Sequence, residues 1–235
     1  MISIVIPTLN EEKCVADCIK SLLAQDYKGE YEIIIVDGFS KDTTAKIVSD
    51  FKGKVKLLTR KPEGPGAARN FGAASSKAGK IAFIDADCIA PSHWVSEIDA
   101  KLSGDVIGLG GVLRPEHGTL LDKVMFKANS DWWVRFSSLL GIYQLYGNNC
   151  AYRKDKFDEL KGFNMNVSFW EDTELSMRAK KIGKLKIDGK LWVETSTRRF
   201  RQMGYPRVFW INLKAFVSFT LHRPIKTKYF QEIEH

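Results

Sequence analysis

Short apolar runs alternate with segments of helical periodicity along the first half of the chain. The runs end in polar or glycine residues, as buried strands do. Strands are predicted at Ile2–Pro7, Ile33–Val36, Val55–Leu58, Ile81–Ile84 and Val106–Val112. Helices are predicted to open at Asn10, to cover Lys41–Phe51 and Ala67–Ser75, and to open again at Pro91. This alternation predicts an α/β fold, with a mostly parallel central sheet flanked by helices on both faces.

The second half is less regular. Helices are predicted over Leu121–Leu140, Glu171–Ile182 and Pro206–Leu221, and strands over Gly147–Tyr152 and Lys186–Val193, the latter broken at Asp188-Gly189. The helix from Leu121 is expected to be buried in the fold. The helix from Pro206 is apolar nearly all round, so burial and a position in a membrane interface are equally good interpretations.

Positive charge is concentrated in the second half of the chain. The net charge is +8, to which residues 1–100 contribute −1 and residues 101–235 contribute +9. Such a charge suits a nucleotide diphosphate or an anionic membrane surface. Nucleic acid ranks last as a partner, because no nucleic-acid-binding motif accompanies the charge.

Length and cysteine usage narrow the class of protein. The 235 residues allow one large domain or two small ones. No secretory signal opens the sequence, and no apolar run reaches the length of a membrane span. The four cysteines lack the spacing of zinc or redox sites; they are Cys14, Cys18, Cys88 and Cys150. They are expected to be small buried hydrophobic residues in a reducing cytoplasm.

Two carboxylates follow the strand Ile81–Ile84 directly. Asp85 and Asp87 would point to the same side of an extended chain, because side chains alternate with period two. Like charges held that close repel one another unless a cation lies between them. Mg²⁺ or Mn²⁺ fits, since hard cations take one or two protein carboxylates and complete their shell with water and phosphate oxygens. A polar turn with two solvated acids is an equally good interpretation of this segment alone.

Polar residues also follow the first two strands, at Pro7-Thr8-Leu9-Asn10-Glu11 and Asp37-Gly38. The ends of parallel strands meet at one edge of a doubly wound sheet, where ligands bind. Asp37 would suit an acceptor for ribose hydroxyls or a base imide. Taken alone, Asp-Gly more often initiates a turn. The two other polar strand ends favour the functional interpretation.

Three further segments carry charge in positions with two interpretations. Arg69 follows the glycine-rich Gly64-Pro65-Gly66 and could bridge phosphates at a helix start. Glu171-Asp172 opens a predicted helix beside two aromatic residues, which suits either a general base or acids that favour the helix dipole. Arg198, Arg199 and Arg201 could neutralise a diphosphate or face solvent. For each segment alone, the structural interpretation is at least as good.

Taken in order, these residues resemble the family 2 inverting nucleotide-sugar glycosyltransferases, which have the GT-A fold. The resemblance covers about residues 2–200 and rests on segments in the family's order: Ser3–Glu11, Ile35–Gly38, Gly66–Asn70, Phe83–Asp87, Gly147–Arg153 and Trp170–Asp172. It implies a GT-A domain over residues 1–200. Residues 1–113 would form the nucleotide-sugar half and residues 114–200 the acceptor half. Residues 201–235 would be an amphipathic helix and basic tail that contacts a membrane or a partner.

The resemblance also implies roles for single residues. Donor-binding residues would be Pro7, Thr8, Glu11, Asp37, Arg69, Asp85, Arg198 and Arg199. Asp87, with Asp85 nearby, would bind the metal, and Asp172 of the Glu171-Asp172 pair would be the catalytic base. Phe39 departs from the family's usual sequence after the second strand, which leaves the shape of the nucleoside pocket open. The Gln-x-x-Arg-Trp signature of processive synthases is absent, so polymer extrusion is not expected.

The expected function is a Mg²⁺- or Mn²⁺-dependent transfer of one sugar, with inversion, from a nucleotide-diphosphate sugar to an acceptor hydroxyl or a lipid phosphate. Two alternatives remain open. A sugar-nucleotide pyrophosphorylase would need a glycine-rich basic loop after the first strand, which this sequence lacks. A non-catalytic sugar-nucleotide binding module would keep Asp37 but would not need Asp172. The expected location is the cytoplasm, either free or peripheral on the membrane.

Overall fold

The computed structural model describes residues 1–61, 63–167 and 169–221, and for Arg199 only the backbone. The strands are β1 (Ile2–Thr8), β2 (Tyr31–Asp37), β3 (Lys56–Thr59), β4 (Lys80–Ile84), β5 (Cys88–Ile89), β6 (Val106–Pro115), β7 (Asn149–Arg153) and β8 (Lys184–Thr195). In the described part of the chain they form one sheet with the order β3-β2-β1-β4-β7-β6-β8-β5. Only β5 and β7 run against the direction of the other strands. The predicted α/β fold with a mostly parallel sheet is therefore confirmed.

Helices cover both faces of this sheet. They are α1 (Val15–Leu23), α2 (Thr44–Ser49), α3 (Pro65–Ala74), α4 (Trp94–Lys101), α5 (Leu120–Phe126), α6 (Trp133–Leu139), α7 (Lys154–Glu159), α8 (Glu171–Lys180), α9 (Arg198–Met203) and α10 (Tyr205–Thr220). Alternate residues of β1 supply the two cores. Ile4 and Ile6 pack in the core under α1 and α4, whereas Val5 packs in the core under α3, α7 and α8.

The cysteines behave as expected from the sequence. All four are free, and Cys18, Cys88 and Cys150 are buried in the cores. Burial raises the pKa of each of these three thiols above its ordinary value, so they stay protonated and apolar. They fill space in the cores.

A buried asparagine joins β7 to its neighbours. Asn149 Nδ2 donates to the carbonyl oxygens of Val112 at 3.0 Å and Leu191 at 3.1 Å, and Asn149 Oδ1 accepts from Trp94 Nε1 at 2.9 Å. Both atoms of a fully buried amide are thus satisfied, which removes the cost of burying it. The amide fixes β7 against β6, β8 and α4.

Several local predictions need correction. The predicted helix opening at Asn10 is wrong, because α1 begins only at Val15. Asn10 has a left-handed φ of 55°, and it exchanges hydrogen bonds with the loop after β2, through Ser40 Oγ and the Lys41 amide. The predicted break in the last strand is a register shift within a continuous β8, opposite Gly110 and Val112 of β6. The short elements β5, α7 and α9 were not predicted.

The expected burial of the helix from Leu121 is also wrong. A π-helical segment, Lys127–Trp132, separates α5 from α6. The helix was predicted from apolar residues at helical spacing, which include Leu121, Trp132, Phe136 and Leu139. All four are exposed, Leu139 to 85%. The inward positions instead repeat every four residues from Asp122 to Val134. A π-turn is wider than an α-turn, so a stripe that is continuous at a period of 3.6 rotates out of the core.

The two C-terminal helices lie against the rest of the domain. Asp122 of α5 accepts hydrogen bonds from Arg201 of α9 and Tyr205 of α10, and these bonds hold the pKa of its carboxyl well below the ordinary value. Ala215 of α10 packs in a small cluster with Phe169 and Trp170. The domain boundary expected after residue 200 falls within α9, Arg198–Met203, and it stays a prediction. Residues 222–235, most of the expected basic tail, lie outside the described residues.

Helix α3 approaches the sheet closely at Gly72. A Cβ built on Gly72 would lie 2.4 Å from Val5 Cγ1 and 3.1 Å from Val36 Cγ2. This close approach places Arg69, one turn earlier, at the carboxyl edge of the sheet. Gly72 is therefore a packing requirement.

We expect Gly72→Ala to lower the free energy of unfolding by about 1–3 kcal/mol, because the added methyl group overpacks the core between α3 and the sheet. Gly79→Ala is the matched control, since a Cβ there meets nothing within 4 Å. Urea denaturation of both variants checks this. Equal stability of the two variants would contradict the close packing.

Candidate active site

The carboxyl ends of β2, β1 and β4 lie side by side at one edge of the sheet. Thr8 pairs with Asp37 across β1 and β2, and Val5 pairs with Phe83 across β1 and β4. Continuing that register brings Asp85 next to the end of β1. The expectation that the three polar strand ends share one edge is confirmed.

Asp37 is almost fully buried at the end of β2. Its carboxylate accepts hydrogen bonds from the Ser40 amide at 3.0 Å, from Ser40 Oγ at 2.5 Å and from Thr8 Oγ1 at 3.4 Å. The turn-forming role considered for Asp37 is therefore real. Nearby, the Glu11 amide donates to Thr44 Oγ1, which ties the loop after β1 to the start of α2. These contacts order the edge where a nucleoside is expected.

Arg69 is the central cation of the edge. It is buried, with its Nη2 2.7 Å from Asp85 Oδ1 and its Nη1 3.4 Å from Glu171 Oε1. Its guanidinium lies 5.5 Å from the centre of the Phe163 ring. Burial opposes the charge, but the carboxylates of Asp85 and Glu171 outweigh it and raise the pKa of Arg69. Arg69 thus joins the acid after β4 to the acids that open α8.

Glu171 and Asp172 begin α8 directly after Trp170, which has a left-handed φ of 63°. The carboxylate of Asp172 accepts from the Gly147 amide at 3.0 Å and from the Thr173 amide at 2.7 Å. Burial raises the pKa of Asp172 above its ordinary value. Burial, and then the Asp172 charge, raises the pKa of Glu171 to about 7. The pair therefore has the proton affinity of a base that works near neutral pH.

These groups line one cavity of about 230 Å³. Asp85, Asp87, Arg69, Glu171 and Asp172 contribute its charged wall. Other walls come from the π-helical segment, from the loop before β7 and from α10. The cavity therefore brings the two acidic segments together, although Glu171 lies 84 positions after Asp87 in the sequence.

The carboxylates of Asp85 and Asp87 fit a hard divalent cation. Among the described residues, no group of three or more His, Cys, Asp or Glu side chains could hold a metal ion by itself. Mg²⁺ and Mn²⁺ do not need such a group, because they use one or two carboxylates together with substrate phosphate oxygens and water. Asp85 is held by its ion pair with Arg69, and the expected role of Asp87 as principal ligand stays a prediction. The donor set fits a metal that binds together with a diphosphate.

Other predicted residues lie at the edge but outside this cavity. In the described part of the chain, Pro7, Thr8, Glu11 and Asp37 are not among its lining residues. Arg198 is exposed at the start of α9, and the side chain of Arg199 lies outside the described residues. The roles assigned to all of these residues stay predictions.

Several lining residues were not identified from the sequence. They include Asn129, Gln144, the Gly147 amide and Asn212. Backbone amides and carboxamide side chains leave no pattern in a single sequence. Of these residues, only Gly147 had been singled out, as the first residue of the predicted strand Gly147–Tyr152. A Cβ on Gly147 would lie 2.8 Å from Arg69 Nη1, so glycine there allows the loop to contact the guanidinium.

The comparison with protein families decides the identity. The model of glycosyl transferase family 2 matches residues 3–161. The chain belongs to glycosyl transferase family 2. This confirms the family that the sequence motifs resemble.

Sequence and structure comparisons agree with this assignment. The family 2 chain is similar to glycosyltransferase AglE of Haloferax volcanii, with 31% identity over 115 residues that cover 47% of this chain and 38% of AglE. Its fold is similar to Staphylococcus aureus TarS 1–349 in complex with UDP-GlcNAc, with a TM-score of 0.65 and 23% identity over 83% of this chain and 58% of that one. It is also similar to the mannosyltransferase PcManGT from Pyrobaculum calidifontis in complex with GDP-Man and Mn²⁺. There the TM-score is 0.66, with 18% identity over 82% of this chain and 56% of that one.

These structural similarities establish the GT-A fold. The chain spans less than two thirds of the length of each of these three proteins. Each of these proteins therefore contains additional chain beyond the part that is similar.

The raised pKa of Glu171 predicts a pH-dependent cost to stability. A carboxyl whose pKa is higher in the folded state stabilises the fold below its unfolded pKa, and this contribution is lost as the pH rises through the folded value, here about 7. Glu171→Gln stays neutral, so we expect it to raise the melting temperature at about pH 8 and to leave it nearly unchanged at about pH 4. Exposed Glu159→Gln is the control. A gain of equal size at both pH values would show that the charge of Glu171 is not the cause.

Proposed function

We propose that this chain transfers a single sugar from a nucleotide-diphosphate sugar to an acceptor, with inversion at the anomeric carbon and with the help of a divalent metal. The observation that carries the proposal is one cavity that Asp85, Asp87 and the buried Asp172 line together. A displacement with inversion needs one site for the leaving diphosphate and one base for the nucleophile. The cavity has a candidate for each.

Asp87, with Asp85, would hold Mg²⁺ or Mn²⁺ against the diphosphate. When bound, the metal would offset the charge that develops on the leaving nucleotide. The similarity to a neighbour that was crystallised with GDP-Man and Mn²⁺ supports this choice. Arg69 adds positive charge at the same place, and it positions Asp85 through their 2.7 Å ion pair.

Asp172 would take the proton from the acceptor hydroxyl. Two backbone amides, those of Gly147 and Thr173, hold its carboxylate in a fixed orientation. Burial keeps its proton affinity high, which favours proton transfer near neutral pH. If the acceptor is a lipid phosphate, the nucleophile is already ionised and Asp172 need not act as a base.

The nucleoside would lie at the neighbouring part of the same edge. Asp37 and Thr8 would face the base and ribose, with Pro7 and Glu11 beside them. Arg198 and Arg199 would contact the diphosphate from the start of α9. The neighbour crystallised with UDP-GlcNAc supports a nucleotide sugar as the donor class.

Two rivals explain less of the site. A binding module has no use for a buried pair of acids with raised proton affinity. A pyrophosphorylase has no use for a base on the far side of the sugar from the diphosphate, and the first strand lacks its phosphate loop. The division of residues 1–200 into a donor half and an acceptor half is part of our proposal.

Two substitutions separate the roles within the site. Hydrolysis of a nucleotide sugar by water requires the same base, so it can be measured without a known acceptor. We expect Asp172→Asn to lower that rate by about 10²–10⁴-fold, the range for a general base, with unchanged affinity for the nucleoside diphosphate. We expect Asp87→Ala to lose the Mn²⁺-dependent part of that affinity.

Exposed Asp17→Asn is the control for both measurements and should behave as the wild type. Titration calorimetry with UDP and GDP, with and without Mn²⁺, gives the affinities. Full turnover by Asp172→Asn would remove the base assignment, and Mn²⁺-stimulated binding by Asp87→Ala would remove the metal site.

We also propose that the protein contacts an anionic membrane surface from the cytoplasmic side. The segment from α5 through α6 to Leu140, together with α10, carries exposed apolar residues that we call the outer apolar surface: Leu121, Val124, Trp132, Phe136, Leu139, Leu140, Trp210 and Val217. Exposed basic residues lie on the same parts of the chain: Lys123, Lys127, Arg135, Arg207 and Lys214. Apolar and aromatic residues beside basic ones favour binding at the interface of an anionic bilayer.

The free cysteines fit a reducing compartment. Within the described residues, no helix has the length and apolarity to cross a membrane.

Liposome flotation tests the outer apolar surface. We expect the protein to float with vesicles that contain phosphatidylserine and to remain below with neutral vesicles, because the basic residues supply part of the attraction. Trp210→Glu should abolish flotation, since it places a charge where the exposed Trp210 ring would enter the bilayer interface. Phe39→Glu, at an exposed apolar position in the loop after β2, should float as the wild type does. Failure of the wild type to float with either lipid would exclude the membrane contact.

A further inference from the structure

Two carboxamides line the cavity with amide groups that have no hydrogen-bond partner. Gln144 is only 4% exposed, and its Nε2 has no partner among the described residues. Asn129 Nδ2 is likewise buried and without a partner in that part of the chain. A buried donor without a partner costs stability. Two of them in one cavity point to a ligand that accepts their hydrogen bonds.

The surrounding structure holds both side chains in place. Asn129 lies in the π-helical segment, whose carbonyl oxygen at Asn129 accepts from Tyr146 Oη at 2.9 Å. Ser130 fixes the same segment to β6 through two hydrogen bonds with Leu113. π-Helical turns occur often at functional sites, because they project a side chain that an α-helix would turn away.

The loop that carries Gln144 contacts both the helix of the proposed base and the cation that holds Asp85. The Leu145 amide donates to Ser176 Oγ of α8 at 3.1 Å. The Gly147 amide donates to Asp172, and Gly147 packs against the Arg69 guanidinium. Gln144 therefore lies on a rigid loop between the proposed base and the cation that holds Asp85.

The rest of this wall is aromatic. Trp133, Phe169 and Trp170 line the cavity with Asn129 and Gln144. Aromatic walls with a few fixed polar groups are typical of sites for small neutral ligands. A sugar ring matches this wall, since it has apolar C–H faces and oxygen atoms around its rim.

We propose that Gln144 and Asn129 bind hydroxyl or acetamido oxygens of the sugar that is transferred, and so determine which sugar this chain accepts. The inference rests on the proposed function. The donor sugar is favoured over the acceptor because Gln144 is buried, and the sugar attached to the diphosphate is the group that the cavity must enclose.

The test compares nucleotide sugars with their nucleoside diphosphates. UDP, UDP-GlcNAc, UDP-glucose, UDP-galactose, GDP and GDP-mannose are titrated with Mn²⁺ into the wild type and into Gln144→Met, which keeps the volume but removes the amide. For the sugar that the wild type prefers, we expect the nucleotide-sugar affinity of Gln144→Met to fall by about twofold to tenfold, as for the loss of one neutral hydrogen bond. Its affinity for the bare diphosphate should not change.

Two further readouts distinguish a binding role from a structural one. Without ligand, the melting temperature of Gln144→Met should equal or exceed that of the wild type, because an unsatisfied buried donor is removed. The variant should also discriminate less between UDP-glucose and UDP-galactose, which differ at one hydroxyl. Asn129→Ala should weaken nucleotide-sugar binding in the same way, and exposed Gln202→Ala should behave as the wild type.

The outcomes separate this inference from the proposed function. If the wild type binds no nucleoside diphosphate, the proposed function itself fails. If it binds and hydrolyses a nucleotide sugar while Gln144→Met and Asn129→Ala match it in affinity and discrimination, only the inference fails. A large drop in the melting temperature of Gln144→Met would overturn the inference too, since the amide would then support the fold. A changed acceptor KM with unchanged donor affinity would assign the two amides to the acceptor instead.

Discussion

The buried guanidinium of Arg69 is the contact on which the site depends. Arg69 belongs to α3 and joins two carboxylates, Asp85 after β4 and Glu171 at the start of α8. Glu171 lies 102 positions after Arg69 in the chain. A charge buried to this extent needs an ionised partner, and Asp85, at 2.7 Å, is the nearer of the two carboxylates. The two acids therefore fix the guanidinium, and the guanidinium fixes the distance between the expected metal end and the expected base end of the cavity. Even Gly147, whose amide orients Asp172, depends on this centre, because only glycine leaves room for the guanidinium.

The part of the sheet edge around Asp37 and the part that forms the cavity differ in how their polar groups find hydrogen-bond partners. Around Asp37 and Asp42 each carboxylate already has several hydrogen-bond donors from its own loop, so that part is ordered before any ligand arrives. On the opposite wall, buried amides and acids lack such partners or carry raised proton affinity. Buried donors without partners cost stability, and a protein can retain that cost where the groups serve a substrate.

Much of the fold followed from the sequence because its signals are local. Apolar runs such as Ile81–Ile84 predict strands, and the acids behind them fall at the edge that parallel strands share. The errors have physical causes. Asn10 had a better partner in a loop 30 residues away than in its own helix, and the helix from Leu121 changed its period at Lys127–Trp132. Contacts of Arg69 with Glu171, and of Gln144 with the cavity, depend on the assembled fold and leave no local pattern.

The position of β7 sets the order in which the protein can be completed. This strand lies between β4 and β6, yet it follows both in the chain. During synthesis, β1 to β4 can pair as they emerge. The free edge of β4 then has unpaired backbone amides and carbonyls, flanked by apolar side chains, until Asn149–Arg153 leaves the ribosome. An exposed edge of this kind recruits other strands and promotes aggregation. Chains whose synthesis stops after β6 are thus the form most prone to misassembly. Insertion of β7 between β4 and β6 removes the open edge.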